Sequence, residues 1–362
     1  MFQSFETTSD PSAGAARLGR LRDHLRGEGL AGFLVPRADV HQGEYVATRD
    51  ERLQWLTGFT GSAGFAIVLP EVAGVFIDGR YRVQVKHQVD LAAYTPVPWP
   101  EVKPGPWIAE HLGEGVVGFD PWLHTAEEIA RIEAGLDGSR VALRAVANAV
   151  DAIWQGQPGA PMGAAFPHPV RLAGETSQDK RARLAEGLRK AGQDAAVITL
   201  PDSLCWLLNL RGADVPRNPI LHGFAILRAD ASVDLFVAGE KLGPAARAVL
   251  DAGVRLHPVE GFAAALGGLT GAVRVDRATA PLAVSRLVED GGAAVSWGDD
   301  PCRLPKATKN GAEVAGMREA HLRDGAAVVE FLCWLDSAAP AGGLTEIDVV
   351  TALEGYRRAT NV

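Results

Sequence analysis

Apolar and polar residues follow the same order twice along the chain. In each copy, leucines recur at spacings of three and four residues, a glycine follows, and a short apolar run comes next. This order predicts an amphipathic helix that stops at the glycine and leads into a buried strand. The two copies run from Arg17 to Val35 and from Arg183 to Leu200.

Each predicted strand leads to a Trp-Leu pair, Trp55-Leu56 or Trp206-Leu207, and then to two further apolar runs of β character. These runs extend from Phe65 to Leu69, Val75 to Ile77, Phe224 to Leu227 and Val233 to Val237. Helices that alternate with strands predict an α/β fold, with a mixed sheet and flanking helices in each copy. The copies differ mainly by an insertion in the first, His41 to Arg52.

Breaks in the pattern divide the chain into three predicted units. The run from Gln155 to Pro169 is rich in proline and small residues and carries no Asp, Glu, Lys or Arg, which is typical of a linker. A weaker break extends from Gly298 to Pro305, and its Asp299-Asp300 pair is interpreted as part of a solvated linker. The predicted units are residues 1–160, residues 171–303 and residues 304–362.

The third unit has a helical pattern. Apolar residues recur through the segment from Asn310 to Ser337 as expected of one long helix with a buried stripe. Gly342-Gly343 then interrupts the pattern, and Thr345 with Asp348 three positions later predicts the capped start of a second helix. This helix should continue to about Arg358.

Composition excludes several classes of protein. The chain has 362 residues and a formal net charge of -8, which argues against nucleic acid as a partner because such binding needs a concentrated basic face. No apolar stretch is long enough to span a membrane, and Met1 to Asp10 lacks the apolar core of a signal peptide. Three cysteines lie far apart, as in a reducing compartment. We therefore expect a cytoplasmic protein without a membrane partner.

Common catalytic motifs are missing from the sequence. It has no His-Glu-x-x-His zinc motif, no Gly-x-Ser-x-Gly elbow and no Gly-x-x-x-x-Gly-Lys phosphate loop. Among the histidines, His41 and His222 are the better candidates for a ligand contact because each lies in a polar loop beside an apolar run, although a structural role is the main interpretation. The polar loop from Asn209 to Asp214 either holds its own backbone or lines a pocket.

Two loops of the first copy admit two interpretations each. The glycine-rich run from Gly58 to Gly64 favours a tight turn into a strand over a phosphate cradle. Asp78-Gly79 predicts a turn after a strand, so that Arg80 and Tyr81 open a helix at a strand-to-helix corner. Arg80 could bind a carboxylate or carbonyl of a substrate, or it could pair with Asp78 or Glu71 as a surface ion pair.

Four segments resemble, in order, the cytosolic three-domain Xaa-Pro aminopeptidases, which belong to the creatinase and methionine aminopeptidase-like family. The segments are HQGEYVATRDERLQWLTGFTGSAG, IDGRYRVQV, WLLNLRGADVPRNP and LPKATKNGAEVAGMREAHLRDGAAVVEFLCWL. The resemblance covers nearly the whole chain. It implies two creatinase-like N-terminal domains followed by a pita-bread catalytic domain, of which residues 304–362 would be the opening helices of an incomplete copy.

The resemblance also implies an activity. Family members hydrolyse the bond between an N-terminal residue and proline with two divalent ions, usually manganese, held by Asp, Asp, His, Glu and Glu. None of these ligands maps onto this chain, so we expect it to be truncated and inactive alone. Arg80 matches a substrate-binding arginine, with Asp78 and Tyr81 as its supports. The implied partners are peptides with proline at the second position and a second copy in a homodimer.

Two other hypotheses remain open at this stage. One is a non-catalytic peptide-binding or dimerisation module that natively ends at Val362. The other is a creatinase or prolidase relative that acts on a different substrate, against which the presence of two creatinase-like units weighs.

Overall fold

The computed structural model describes residues 5–6 and 8–360. The described residues fall into two compact units. The larger comprises Thr8–Pro167 and Ser177–Leu304, and the smaller comprises His168–Thr176 with the described parts of Met1–Thr7 and Pro305–Val362. The expectation about a targeting signal in Met1 to Asp10 lies partly outside the described residues. The division at residues 160, 171 and 303–304 stays a prediction.

The first copy of the repeated plan alternates strands and helices as the pattern predicts. Its strands are β1 (Gly32–Pro36), β2 (Phe65–Val68), β3 (Ala73–Ile77), β4 (Thr95–Pro98), β5 (Glu114–Phe119) and β6 (Arg140–Ala145). Its helices are α1 (Gly14–Gly27), α2 (Arg52–Thr57), α3 (Val85–Gln88), α4 (Pro104–His111), α5 (Ala126–Ala134) and α6 (Ala149–Ile153), with 3₁₀ turns at Pro11–Ala13, Thr48–Asp50 and Gly79–Tyr81.

The remaining elements form the second copy and the smaller unit. The strands are β7 (Phe166–Pro167), β8 (Ala195–Ile198), β9 (Leu210–Arg211), β10 (Phe224–Arg228), β11 (Val233–Phe236), β12 (Val254–His257), β13 (Ala272–Val275) and β14 (Ala294–Trp297). The helices are α7 (Val170–Ala173), α8 (Ser177–Lys190), α9 (Pro201–Leu208), α10 (Pro244–Arg247), α11 (Phe262–Gly267), α12 (Leu282–Asp290), α13 (Arg303–Ala307), α14 (Gly311–Ala338) and α15 (Glu346–Thr360). 3₁₀ turns lie at Gly239–Lys241, Val259–Gly261 and Ala339–Ala341.

Each copy builds a mixed sheet with the same topology. Among the described residues, the first sheet has the order β4-β3-β2-β1-β5-β6 and the second β12-β11-β10-β8-β13-β14. In the first sheet β2 runs antiparallel to both neighbours, and every other pairing is parallel. β10 has the same position and direction in the second sheet. The duplicated α/β plan expected from the sequence is therefore confirmed.

Helices α1 and α8 bury the leucine-bearing faces that their sequence spacing predicts. The α1 leucines Leu18, Leu21 and Leu25 are buried against the first sheet, and each such burial is worth about 1.5–3 kcal/mol. The helix ends before Gly29, which has φ of 64°, a backbone conformation that favours glycine. Gly192 ends the second helix in the same way, with φ of 67°.

Apolar side chains cover both faces of the first sheet. One cluster packs α1, α2 and α6 against one face, and a second packs α4 and α5 against the other. The parallel strands are accordingly hydrophobic on both sides, as the continuous burial of β1 and β3 shows. The sheet thus lies between two packed layers of side chains, which hold the ends of its strands in position.

Two local predictions differ from the structure. Arg80 and Tyr81 do not open a helix that continues to Gln88, because a 3₁₀ turn ends at Tyr81 and α3 begins separately at Val85. The interpretation of Asp299-Asp300 as solvated is wrong for Asp300. Its backbone N–H donates to Asp276 at 2.9 Å and its carboxylate accepts the N–H of Cys302 at 2.7 Å, which buries it in a turn.

The smaller unit contains the two helices expected from the sequence, but the buried positions of α14 are Ala327 and Phe331 rather than a full stripe. Asn310 caps α14 by accepting N–H groups of Ala312 and Glu313, and the Glu313 carboxylate accepts the Asn310 N–H in return. Thr345 accepts the N–H of Asp348 at the start of α15. Within the described chain, no helix has both the length and the apolar character needed to cross a membrane.

Helix α14 keeps large apolar side chains in solvent, with Leu322 and Val329 exposed to 73% and 61%. We expect the double substitution Leu322→Gln with Val329→Gln to lower self-association in light scattering, since it removes exposed apolar surface. The free energy of unfolding should change by no more than about 0.5 kcal/mol, because neither side chain is buried. Phe331→Gln, at a buried position of the same helix, is the control and should destabilise strongly. Equal self-association of the double variant and the native chain would contradict the prediction.

Candidate functional site

The parallel strands of the first sheet bring several loops to one edge. Because β1, β3, β4, β5 and β6 run in the same direction, their carboxyl ends meet there, together with the start of the antiparallel β2. Loops at such an edge commonly carry binding residues. The edge collects Arg37 after β1, Ser62 before β2 and Arg80 after β3.

Arg80 lies in the 3₁₀ turn that follows β3, where Asp78 fixes its direction. The Asp78 carboxylate accepts the Arg80 backbone N–H at 2.9 Å. It also accepts Nε at 3.1 Å and Nη2 at 2.7 Å in a forked arrangement. Yet 65% of the Arg80 side chain is exposed, so part of its donor capacity faces solvent. The pKa of Asp78 lies below its ordinary value because Arg80 donates to its side chain, and that of Arg80 is raised by the same contact.

Tyr81 supports this turn from below. Its hydroxyl lies 2.6 Å from Ser62 Oγ and accepts the Ser62 backbone N–H at 3.1 Å. The ring packs edge-on against Phe59 at 5.5 Å, and the Arg80 guanidinium lies 5.1 Å from its centroid. The arrangement is a guanidinium held at the sheet edge on a rigid base.

The glycine-rich segment before β2 is a tight turn, as favoured from the sequence. Gly58 and Gly64 have φ of 89° and 156°. A Cβ atom at Gly64 would lie 2.8 Å from the carbonyl oxygen of Phe76, so only glycine fits beside β3. Arg37 closes the turn from the other side by donating to the carbonyl of Ser62 at 3.0 Å. A cavity of about 260 Å³ lies here, lined among others by Arg37, Glu44 and Ser62.

The second copy does not repeat the guanidinium. Its strand β11 is followed, like β3, by a 3₁₀ turn that begins with glycine, Gly239–Lys241. Counting from that glycine, Glu240 takes the place of Arg80, and it is likewise exposed. The second turn does contain a cation, Lys241, but it is buried and pairs with Asp214. Of the two turns, the first therefore offers the exposed cation, which suits an anionic or carbonyl group.

His41 and His222, singled out from the sequence, meet between the two copies. Their rings are 4.6 Å apart, and His41 Nδ1 donates to the carbonyl of Thr199 at 3.0 Å. His222 Nε2 lies 3.8 Å from a carboxylate oxygen of Asp39. Both histidines and Asp39 are buried. The structural interpretation of these histidines is the one the geometry supports, because each contacts the other copy rather than an open pocket.

Further contacts join the copies through corresponding positions. Thr125 precedes α5 and Pro281 precedes the equivalent helix α12, and the two residues form a β-bridge with each other. Leu282 N–H donates to the His124 carbonyl at 2.8 Å. Contacts between equivalent positions are typical of a two-fold arrangement. The loop from Asn209 to Asp214 also has a structural role, because the Asp214 carboxylate accepts a hydrogen bond from the buried Lys241 ammonium group at 3.0 Å.

Among residues 5–6 and 8–360, no three or more side chains of His, Cys, Asp and Glu are grouped so that they could hold a metal ion. The described residues therefore do not fit a two-metal centre. Of the site residues, Arg80 was identified from the sequence, whereas Arg37, Ser62, Asp39 and Lys241 were missed. Their roles depend on partners distant in sequence, and no local signal identifies them.

Comparison with protein families gives two matches of the same kind. Models of the creatinase/prolidase N-terminal domain match residues 17–153 and residues 156–313. The chain is 33% identical to a probable Xaa-Pro aminopeptidase P of Talaromyces stipitatus, over 94% of this chain and 54% of the relative. It is 35% identical to one of Coccidioides posadasii, over 92% and 53%. The chain thus spans about half the length of the curated relatives it matches.

A solved structure agrees with these matches. The X-prolyl aminopeptidase of Caenorhabditis elegans, described as a cytosolic enzyme with a di-nuclear active site, superposes with a TM-score of 0.88 at 29% identity. The superposition covers 96% of this chain and 60% of that one. The two creatinase-like domains are thereby confirmed. The expectation that the chain stops within an incomplete pita-bread domain is not confirmed.

The buried histidine pair predicts a pH dependence of stability. Burial lowers the pKa of His41 to about 4 and also lowers that of His222, against the opposing effect of Asp39. Asp50, Asp214 and Lys241 also act on this pair. Because the unfolded histidine titrates near pH 6.5, the His41 contribution is complete above that pH and is lost as the pH falls towards 4.

We expect the native chain to lose about 2 to 3 kcal/mol more unfolding free energy than His41→Asn between pH 7.5 and 4.5. Urea unfolding at the two pH values measures this difference. Asparagine retains an N–H donor for Thr199 but does not titrate. His24→Asn on α1 is the control and should keep the native dependence. Parallel pH profiles for the native chain and His41→Asn would contradict the prediction.

Proposed function

We propose, from the premise that this chain belongs to the creatinase/prolidase N-terminal domain family, that the protein acts as an Xaa-Pro aminopeptidase and that the turn carrying Arg80 binds its substrate. The observation that supports this most is the guanidinium at the sheet edge, held by Asp78 and still open to solvent. The curated relatives are named as probable enzymes of this kind. The proposed substrates are peptides with proline at the second position.

In this proposal the residues of the chain act by positioning. Arg80 donates to a carbonyl or carboxylate oxygen of the peptide, and Asp78 keeps the guanidinium in one orientation so that little side-chain freedom is lost on binding. Tyr81 and Ser62 fix the turn beneath it. Arg80 is thus a binding residue, and the other three are positioning residues.

The remaining parts of the proposal rest on the resemblance and on the relatives. We include two divalent ions, with manganese as their identity, since the relative from Caenorhabditis elegans is described as having a di-nuclear active site. No reaction step is assigned to them, because the described residues offer no ligand set. A cytoplasmic location and a homodimer complete the proposal.

Substitution of Arg80 tests the proposed site. In the active enzyme that carries this sequence, Arg80→Ala should lower kcat/KM on an Xaa-Pro peptide by about 10- to 150-fold, because a charge-assisted hydrogen bond worth about 1.5–3 kcal/mol of transition-state stabilisation is lost. Arg82→Ala is the matched control, since Arg82 is an exposed arginine two residues away that pairs with Glu101. Its kinetics should match those of the native enzyme. A lower melting temperature for Arg80→Ala with unchanged kinetics would make Arg80 a structural residue.

The expectation that these 362 residues alone hydrolyse nothing is not confirmed by the comparisons and stays a prediction. Incubation of the purified chain with a proline-containing peptide and manganese should release no amino acid, since the resemblance implies ligands that do not map onto it. A positive control is a complete Xaa-Pro aminopeptidase in the same buffer. Release of the N-terminal residue at a rate proportional to the concentration of the chain would refute the prediction.

A further inference from the structure

A second cavity lies on the other face of the first sheet, beneath helices α4 and α5. Its volume is about 730 Å³, which falls in the range of small-molecule sites. Its apolar walls come from the sheet and from the helices, and include Leu34, Phe65, Ile67, Trp99 and Ile132. We call it the α4–α5 cavity.

Close backbone packing and prolines hold the walls of the cavity. A Cβ atom on Gly105 would lie 2.6 Å from the carbonyl oxygen of Ile132 and 2.7 Å from the Cα of Gly135, so α4 and α5 are in backbone contact at its floor. Four prolines also line it, and their fixed φ angles restrict movement of its rim: Pro36, Pro100, Pro104 and Pro106. A site formed in advance loses little entropy when it binds a ligand.

A carboxylate faces this apolar space from α5. The side chain of Glu128 is 38% exposed and lies 3.1 Å, Oε2 to Nδ1, from His124, whose own side chain is only 3% exposed. Burial raises the pKa of Glu128, but His124 and the backbone of Thr125 more than offset this effect, so the pKa lies below its ordinary value. The cavity therefore contains a carboxylate that His124 and the backbone of Thr125 hold in place.

Two cations line the same cavity. Lys103 lies just before α4 and lines the cavity, and beside a backbone hydrogen bond its charge also helps to lower the pKa of Glu101. Arg131 is on the same helix as Glu128, three residues further on, and its contact with Glu127 is long, at 3.8 Å, and exposed. Such an exposed pair contributes little, so Arg131 can exchange Glu127 for another anion at small cost.

We propose that the α4–α5 cavity binds a zwitterion with an apolar body, the chemistry of an aliphatic or aromatic α-amino acid or of a short apolar peptide. Glu128 accepts the ammonium group, Lys103 and Arg131 bind the carboxylate, and Phe65 and Trp99 contact the apolar side chain. An amino acid is also what the proposed reaction releases, but this site needs neither Arg80 nor hydrolysis. Its test can therefore fail or succeed independently of the proposed function.

Calorimetric titration of the 362-residue chain with L-phenylalanine tests the site. N-acetyl-L-phenylalanine lacks the ammonium and L-phenylalaninamide lacks the carboxylate, so each should bind about tenfold more weakly or worse. Phenylalanyl-alanine distinguishes the two sources of the ligand. Tighter binding of the free amino acid assigns the cavity to amino acids, and tighter binding of the dipeptide assigns it to peptides.

Matched variants identify the residues. Glu128→Gln and Lys103→Gln should each weaken binding of phenylalanine about tenfold or more, whereas Glu133→Gln, an exposed carboxylate of the same helix that does not line the cavity, should change it less than about twofold. Fluorescence gives a second readout, since the ligand-induced change in tryptophan emission should disappear in Trp99→Phe. Absence of saturable binding, equal affinity for the blocked derivatives, or equal effects of Glu133→Gln and Glu128→Gln would overturn the proposal.

Discussion

The parallel direction of β1, β3, β4, β5 and β6 is the constraint on which the candidate site depends. It gathers the loops after these strands at one edge, while the apolar layers on both faces of the sheet prevent that edge from moving. Tyr81, which supports Arg80, is far apart in sequence from Arg37, yet both residues contact Ser62 in the short segment before β2. The guanidinium is thus placed by the sheet, and Asp78 only sets its final orientation.

The two copies share one architecture but differ in the residues at equivalent turns. Both sheets have the same strand order, and both have a 3₁₀ turn beginning with glycine after the third strand of the plan. Within that shared frame, the exposed residue after the glycine is Arg80 in one copy and Glu240 in the other. The first copy also carries the insertion from His41 to Arg52, whose first residue contacts Thr199 of the second copy. The insertion therefore contributes to joining the copies.

Sequence patterns predicted the features that depend on neighbouring residues. The leucine spacing of α1 and α8, the capped start of α15 at Thr345 and the turn at Asp78-Gly79 all arise within a few positions, so they could be recognised directly. The burial of Asp300 and the contact of His41 with His222 could not, because each depends on a partner that only the fold brings near. A polar residue in a loop is expected to face solvent unless a residue distant in sequence forms a hydrogen bond with it.

The two candidate sites of the first sheet differ in the kind of ligand that each can bind. The Arg80 turn offers a donor that is partly satisfied by Asp78 and open to water, which suits weak and reversible contact with one oxygen of a larger substrate. The α4–α5 cavity combines a buried support, His124, with an accessible carboxylate and two cations around apolar walls, which suits a whole small molecule. Phe65, Trp99 and Glu128 line both this cavity and the smaller one beside Arg37 and Ser62. A ligand that moved Trp99 in one cavity would therefore change a wall of the other.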